Sequence, residues 1–68
     1  MFIILDFGPS FPRANMDLPG KPDNATLARI AVRLNPHRIA VFHGSMAEPG
    51  EYIQTYQVQQ SATLTAVD

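Results

Sequence analysis

The residues best suited to chemistry in this 68-residue chain are His43 and Ser45, which flank a single glycine. An imidazole beside a hydroxyl can activate that hydroxyl as a nucleophile, provided that a third group orients the imidazole. Asp6 follows an apolar run, and it would approach His43 only if the strands that carry the two residues lie parallel. Nothing in the spacing imposes that geometry, so the pattern favours a plain histidine at the end of a strand. We predict that the protein is not an enzyme.

The remaining polar residues do not indicate a metal or a cofactor. His37 and His43 are six positions apart, and no third ligand follows at the spacing of a metal site. The chain has no cysteine, which excludes disulfides and thiolate metal sites. Its four glycines fit neither of the common phosphate-binding loop patterns. We therefore expect no metal site and no cofactor.

Between Asp23 and Glu48 the chain has no acidic residue, and it carries three of its five cationic side chains there, Arg29, Arg33 and Arg38. If this stretch is helical, Arg29 and Arg33 share a face and Arg38 follows the corner, which makes a candidate patch for anions. A solvated helix face is the leading interpretation, and a salt bridge to another protein comes next. Nucleic acid is third, because three arginines make few phosphate contacts and no aromatic residues alternate with them.

Two structures compete for the first part of this stretch. A helix over 25–34 is favoured by a polar N-cap at Asp23 or Asn24 and by a stop at Pro36. Its apolar positions recur at the helical spacing i, i+3, i+4, i+7, and they are Leu27, Ile30, Ala31 and Leu34. The alternative is a strand and a hairpin turn, in which Ile30, Val32 and Leu34 alternate with smaller or charged residues. We favour the helix.

The segment before the helix divides into a strand and a long loop. Residues 1–7 form an apolar run that suits a buried strand, whereas residues 8–23 contain four of the six prolines. Proline removes a backbone donor, so this segment is predicted to stay outside the interior of a sheet. Phe11, Met16 and Leu18 are the large apolar side chains within it. They either fold back over the domain's own core or form an arm that lies on a neighbouring subunit.

The segment after the helix is predicted to supply a strand over 38–43 and one or two strands over 52–67. In the last segment Tyr52, Tyr56, Val58 and Leu64 share one parity, which places them on one face of a half-buried strand. No charged residue occurs from Tyr52 to Val67. Because free edge strands normally carry a charge or a proline, we predict that this strand pairs with another chain. The alternative is an interior strand of the domain's own sheet.

These elements predict a single small α+β domain over 1–68. Its architecture is β-α-β-β, with a three- or four-stranded sheet, one short helix and a Pro-rich N-terminal arm, and the alternative is an all-β hairpin domain. A chain this short buries a modest core, and small domains without disulfides or metals are commonly stabilised by partner chains. We therefore expect a homo-oligomer or a lattice.

The function that fits these features is that of a non-enzymatic structural or assembly protein, such as a small viral or phage capsid accessory (cement) protein. The alternative is a small regulator or inhibitor that binds nucleic acid or an acidic protein through the arginine patch. The net charge of −1 creates no field that attracts nucleic acid or membranes, and the chain has neither a secretory signal nor a membrane-length apolar run. We expect a cytoplasmic or virion-associated protein. The candidate partner-binding residues are Phe11, Met16, Leu18, Arg29, Arg33, Arg38, Tyr52, Tyr56, Val58 and Leu64.

Overall fold

The computed structural model describes residues 1–67, which form one α-helix and five β-strands. The predicted single domain extends to Asp68, which lies outside the described residues. A short turn over Gln60–Ala62 joins the last two strands. The elements in chain order are β1 (Phe2–Asp6), β2 (Ala14–Asp17), α1 (Asn24–Leu34), β3 (Arg38–Gly44), β4 (Pro49–Val58) and β5 (Leu64–Val67).

The strands form one sheet in the order β2-β1-β3-β4-β5, and every neighbouring pair is antiparallel. The predicted α+β class is confirmed. The expected number of strands is wrong, because the described residues form five strands and not three or four. The all-β alternative is also wrong, since the stretch in question is a helix.

The fifth strand, β2, lies in the segment predicted to be a Pro-rich loop. Its four residues fall between Pro12 and Pro19, so each of them retains a backbone donor. It pairs with β1 at the edge of the sheet, and the N–H of Leu18 continues the pairing by donating to the carbonyl of Met1 at 2.7 Å. An edge strand needs partners on one side only, so the nearby prolines do not prevent it. This segment therefore folds onto its own sheet.

Helix α1 ends at the predicted residue and begins one residue earlier than predicted. The carboxylate of Asp23 accepts a hydrogen bond from the N–H of Thr26 at 2.8 Å, which makes Asp23 the N-cap. Asn35 takes the left-handed conformation after the last turn, and its N–H donates to the carbonyl of Ala31. The next residue, Pro36, is buried and cannot continue the helix. These caps confirm the helix.

The core lies between α1 and one face of the sheet. Its buried side chains are Ile3, Leu5, Leu27, Ala31, Ile39 and Val41. Partly buried apolar side chains surround it, and they are Phe7, Leu18, Ile30, Ile53, Tyr56, Val58 and Leu64. Within residues 1–67 no helix or second sheet covers the opposite face, which we call the open face, although Phe2 is buried there and the N–H of Met46, in the loop after β3, donates to the carboxylate of Asp17. The molecule therefore presents one covered face, one open face and two strand edges.

Candidate functional site

The histidine and serine first considered for chemistry do not meet a third group. Because β1 and β3 are antiparallel, Asp6 lies opposite Arg38, at the far end of β3 from His43. The hydroxyl of Ser45 accepts a hydrogen bond from the N–H of Glu48 at 3.1 Å, so it closes the loop between β3 and β4. The condition for Asp6 to approach His43, parallel strands, is therefore not met, and the three residues form no catalytic arrangement. Within residues 1–67 no three His, Asp or Glu side chains group together as a metal site would require.

The three arginines do not form one patch. Arg38 precedes Ile39, which points into the core, and successive side chains of a strand point to opposite faces. Arg38 therefore lies on the open face, whereas Arg29 and Arg33 lie on α1, on the other side of the sheet. The sequence pattern could not show this separation, because it depends on how the strand is turned after the Asn35–Pro36 corner.

Arg38 instead joins a polar corner that sequence reasoning missed. The guanidinium of Arg13 lies 4.0 Å from the carboxylate of Asp6, and Asp6 lies opposite Arg38 on the neighbouring strand. The same carboxylate accepts a hydrogen bond from the N–H of Gly8 at 2.9 Å. Arg13 precedes β2, so only the pairing of β2 with β1 brings it to Asp6. No local feature of the sequence indicates that pairing.

An aromatic cluster occupies the other end of the open face. The rings of Phe2 and Phe42 stack with centroids 5.0 Å apart, and Tyr52 meets Phe42 edge to face at 5.5 Å. Tyr52 was predicted to share a face with Tyr56, and this prediction is wrong. In the register Val41 pairs with Gln54 but Phe42 pairs with Tyr52, so one extra residue bulges from β4 and reverses the parity.

The other predicted residues of the C-terminal segment face the domain's own core. Tyr56, Val58 and Leu64 pack against the buried cluster beneath α1. From Thr55 to Val58, β4 pairs with β3 on one side and with β5 on the other, so this part of the segment is an interior strand. The free edge therefore belongs to β5.

Two residues of β5 direct their backbone N–H and C=O groups away from the sheet. The N–H of Gln59 donates to the carbonyl of Thr63 at 2.8 Å and closes the hairpin between β4 and β5. Hydrogen bonding alternates along an antiparallel pair, so Thr65 bonds to β4 while the backbone groups of Leu64 and Ala66 point away from it. Neither a charge nor a proline occurs from Tyr52 to Val67. This edge lacks the usual protection against strand pairing.

The edge of β2 is protected in the usual way. Pro12 and Pro19 flank the strand, with Arg13 just before it and Asp17 as its last residue. Because the N–H of Leu18 bonds to β1, the alternation places the outward donors of this edge at Asn15 and Asp17. The two edges of one sheet therefore differ in their readiness to pair with another chain.

A groove runs between α1 and β2 on the covered side of the sheet. It encloses about 560 Å³, and its lining residues are Met16, Leu18, Thr26, Arg29, Ile30, Arg33 and Leu34. Four of the predicted partner-binding residues thus lie on one surface, and they are Met16, Leu18, Arg29 and Arg33. Phe11, 64% exposed, lies apart from them beside Phe7 and His37.

Comparison with known proteins adds no relative to this description. No protein-family model matches the chain, and neither a curated protein nor a solved structure shows significant similarity to it. Among the described residues, no helix has the length and apolar character needed to cross a membrane.

Proposed function

We propose that the protein acts by binding other protein chains, and that it assembles with copies of itself through the free edge of β5. The observation that carries the proposal is the contrast between the two edges. The β2 edge has prolines and charges around it, whereas no proline or charged residue occurs from Tyr52 to the end of β5 at Val67. Unprotected edges are selected against in proteins that remain monomeric, because they pair with other chains.

The residues of β5 suit pairing with a second copy. Leu64 and Ala66 offer their backbone groups outward, and Thr65 and Ala66 are exposed. Two copies related by a twofold axis would place β5 antiparallel to itself, so that each copy contributes the same residues and the sheet continues across the pair. β5 contains no charged residue, so pairing with its own copy would create no repulsion between like charges.

The size of the core supports assembly as well. The buried apolar side chains of the described residues are few, and large apolar side chains remain exposed, with Val32 at 70% and Tyr52 at 50%. A small domain without cysteine gains stability when it buries such surface against a partner. An accessory subunit of a larger shell, such as a viral or phage capsid cement protein, is the form of this function that we favour.

Native mass spectrometry of two proline variants tests the proposal. Ala66→Pro removes an outward donor from β5, and Asn15→Pro makes the matching change at β2, so neither should break a hydrogen bond of the sheet itself. We expect the wild type and Asn15→Pro to be oligomeric, and Ala66→Pro to be a folded monomer by circular dichroism. A monomeric wild type at micromolar concentration, or an oligomer that survives Ala66→Pro, would contradict assembly through β5.

A further inference from the structure

We propose that the groove between α1 and β2 binds an extended acidic segment of a different protein, which adds as a short strand to the edge of β2. This site lies at the opposite edge of the sheet from β5. It is independent of the self-assembly proposed above, and either can hold without the other.

The floor of the groove is apolar and accessible. Met16 lies opposite Ile3 in the register, which places its side chain on the covered side of the sheet, next to α1. Met16 is 37% exposed and Leu34 is 46% exposed, while Leu18 and Ile30 are half-buried beside them. An extended chain laid along β2 would direct every second side chain onto this floor.

The rim of the groove is basic, and neither of its arginines forms a salt bridge within residues 1–67. Arg29 and Arg33 are four residues apart on α1, so they lie on the same side of the helix. Among residues 1–67 the only ion pair joins Arg13 to Asp6, on the other side of the sheet. Asp23 is the acidic residue nearest in sequence to Arg29 and feels its charge, but its carboxylate is engaged as the N-cap by the N–H of Thr26 and forms no salt bridge with Arg29. Charge complementarity therefore favours a ligand with carboxylates.

The spacing of the two arginines fits an extended ligand. Four residues of an α-helix rise about 6 Å, which is the separation of Arg29 and Arg33 along α1. Alternate residues of a β-strand are about 6.8 Å apart on one face. Two carboxylates on alternate residues of the ligand therefore have nearly the same spacing as the two arginines.

The edge of β2 limits the ligand to a short segment. Asn15 and Asp17 direct their N–H groups outward, while Pro12 and Pro19 end the available edge on either side. An edge of this kind resists open-ended pairing of long strands but still offers main-chain hydrogen bonds to a few residues. Specificity would then come from the groove.

Fluorescence anisotropy with a labelled peptide tests this site. The probe is a fluorescein-labelled Leu-Thr-Glu-Thr-Glu-Thr-Leu, whose two carboxylates and two leucines lie on one face when extended. Arg29→Glu with Arg33→Glu should weaken its binding about tenfold or more, since two ion pairs become two repulsions. Arg38→Glu, on the open face of β3 and away from the β2 edge, is the control and should leave the affinity unchanged. The doubly substituted groove should prefer a peptide with lysine in place of glutamate.

The edge contribution has its own pair of variants. Asn15→Pro removes one main-chain donor from the β2 edge and should lower the affinity for the peptide about threefold or more. Ala66→Pro, at the opposite edge, should leave that affinity unchanged. The proposal is overturned if the wild type shows no binding up to about 1 mM protein, or if the lysine peptide binds it equally well. It is also overturned if the open-face variant loses as much affinity as the groove variant, or if single-stranded DNA displaces the peptide from the groove.

Discussion

The ring of Tyr52 meets the ring of Phe42 edge to face, with their centroids 5.5 Å apart. The hydroxyl of Tyr52 also donates to the hydroxyl of Thr55 at 2.8 Å, which fixes the ring on the open face of the sheet. The contact exists because one residue bulges from β4 between Gln54 and Tyr52. Without the bulge, Tyr52 would point to the covered face with Tyr56.

A double-mutant cycle should detect this contact as coupling. We expect Phe42→Leu and Tyr52→Leu, measured by urea unfolding, to show an interaction free energy of about 1 kcal/mol, as aromatic pairs usually do. The cycle of Phe42→Leu with Tyr56→Leu is the control, because those rings lie on opposite faces. Its coupling should stay within about 0.4 kcal/mol of zero. Equal coupling in both cycles would contradict the position of Tyr52 on the open face beside Phe42.

The sequence was sufficient for elements whose determinants are local. The N-cap at Asp23, the spacing of Leu27 and Ala31, and the stop at Pro36 lie within one short stretch, so the helix was predictable with its bounds. The strands around Ile3 and Ile39 were predictable for the same reason, since a run of apolar residues bounded by turns is a local pattern.

The misplaced residues depend on contacts between segments that are distant in sequence. A bulge in β4 is set by its pairing with β3, so the alternation from Tyr52 to Tyr56 could not reveal it. The strand character of β2 exists only because β1 is beside it. The positions of Arg29 and Arg33 in the sequence could not predict the groove, because the groove exists only where α1 lies next to Met16 of β2.

Gly44 should be the least replaceable glycine of the chain. Its φ is +81°, and an added Cβ would overlap the carbonyl of Glu48 and lie 2.8 Å from the N of Gly50. Backbone atoms cannot move aside cheaply, so we expect Gly44→Ala to lower the free energy of unfolding by about 2–4 kcal/mol. Gly20→Ala is the control, because no atom lies within 4 Å of its added Cβ. Thermal or urea unfolding of the two variants should therefore differ clearly, and equal stabilities would contradict the loop geometry.

The N-cap should make the free energy of unfolding depend on pH in the acidic range. Hydrogen bonds from the side chain and the N–H of Thr26, and then the charge of Arg29, hold the pKa of Asp23 below its usual range. A lowered pKa means that the ionised carboxylate stabilises the fold. This stabilisation is complete above the unfolded-state pKa of about 3.9 and is lost as the pH falls through the lower folded-state value.

Comparison with Asp23→Asn isolates this effect, because asparagine also caps helices but does not titrate. The unfolding free energies of the two proteins should run parallel above about pH 5 and converge or cross below about pH 4 as the wild type loses its advantage. The other carboxylates titrate in both proteins and cancel in the difference. If the difference in unfolding free energy between the two proteins stays constant from about pH 2 to about pH 7, within the error of the fits, the charge of Asp23 does not contribute to the cap.

Hydrogen exchange at β5 should separate the internal ladder from the free edge. The amide of Thr65 bonds to β4, and the carbonyl of Val67 also accepts from the side chain of Gln54 at 3.2 Å. We expect the Thr65 amide to be protected at every protein concentration. The amides of Leu64 and Ala66 point outward, so they should exchange rapidly in dilute monomer and slow down as copies associate.

The amide of Asn15 at the other edge is the control, and it should exchange rapidly at every concentration because no copy is expected to pair there. If the Leu64 and Ala66 amides exchange at the same rate in dilute and concentrated samples of a protein that does associate, the copies meet elsewhere, and the aromatic end of the open face becomes the surface to test.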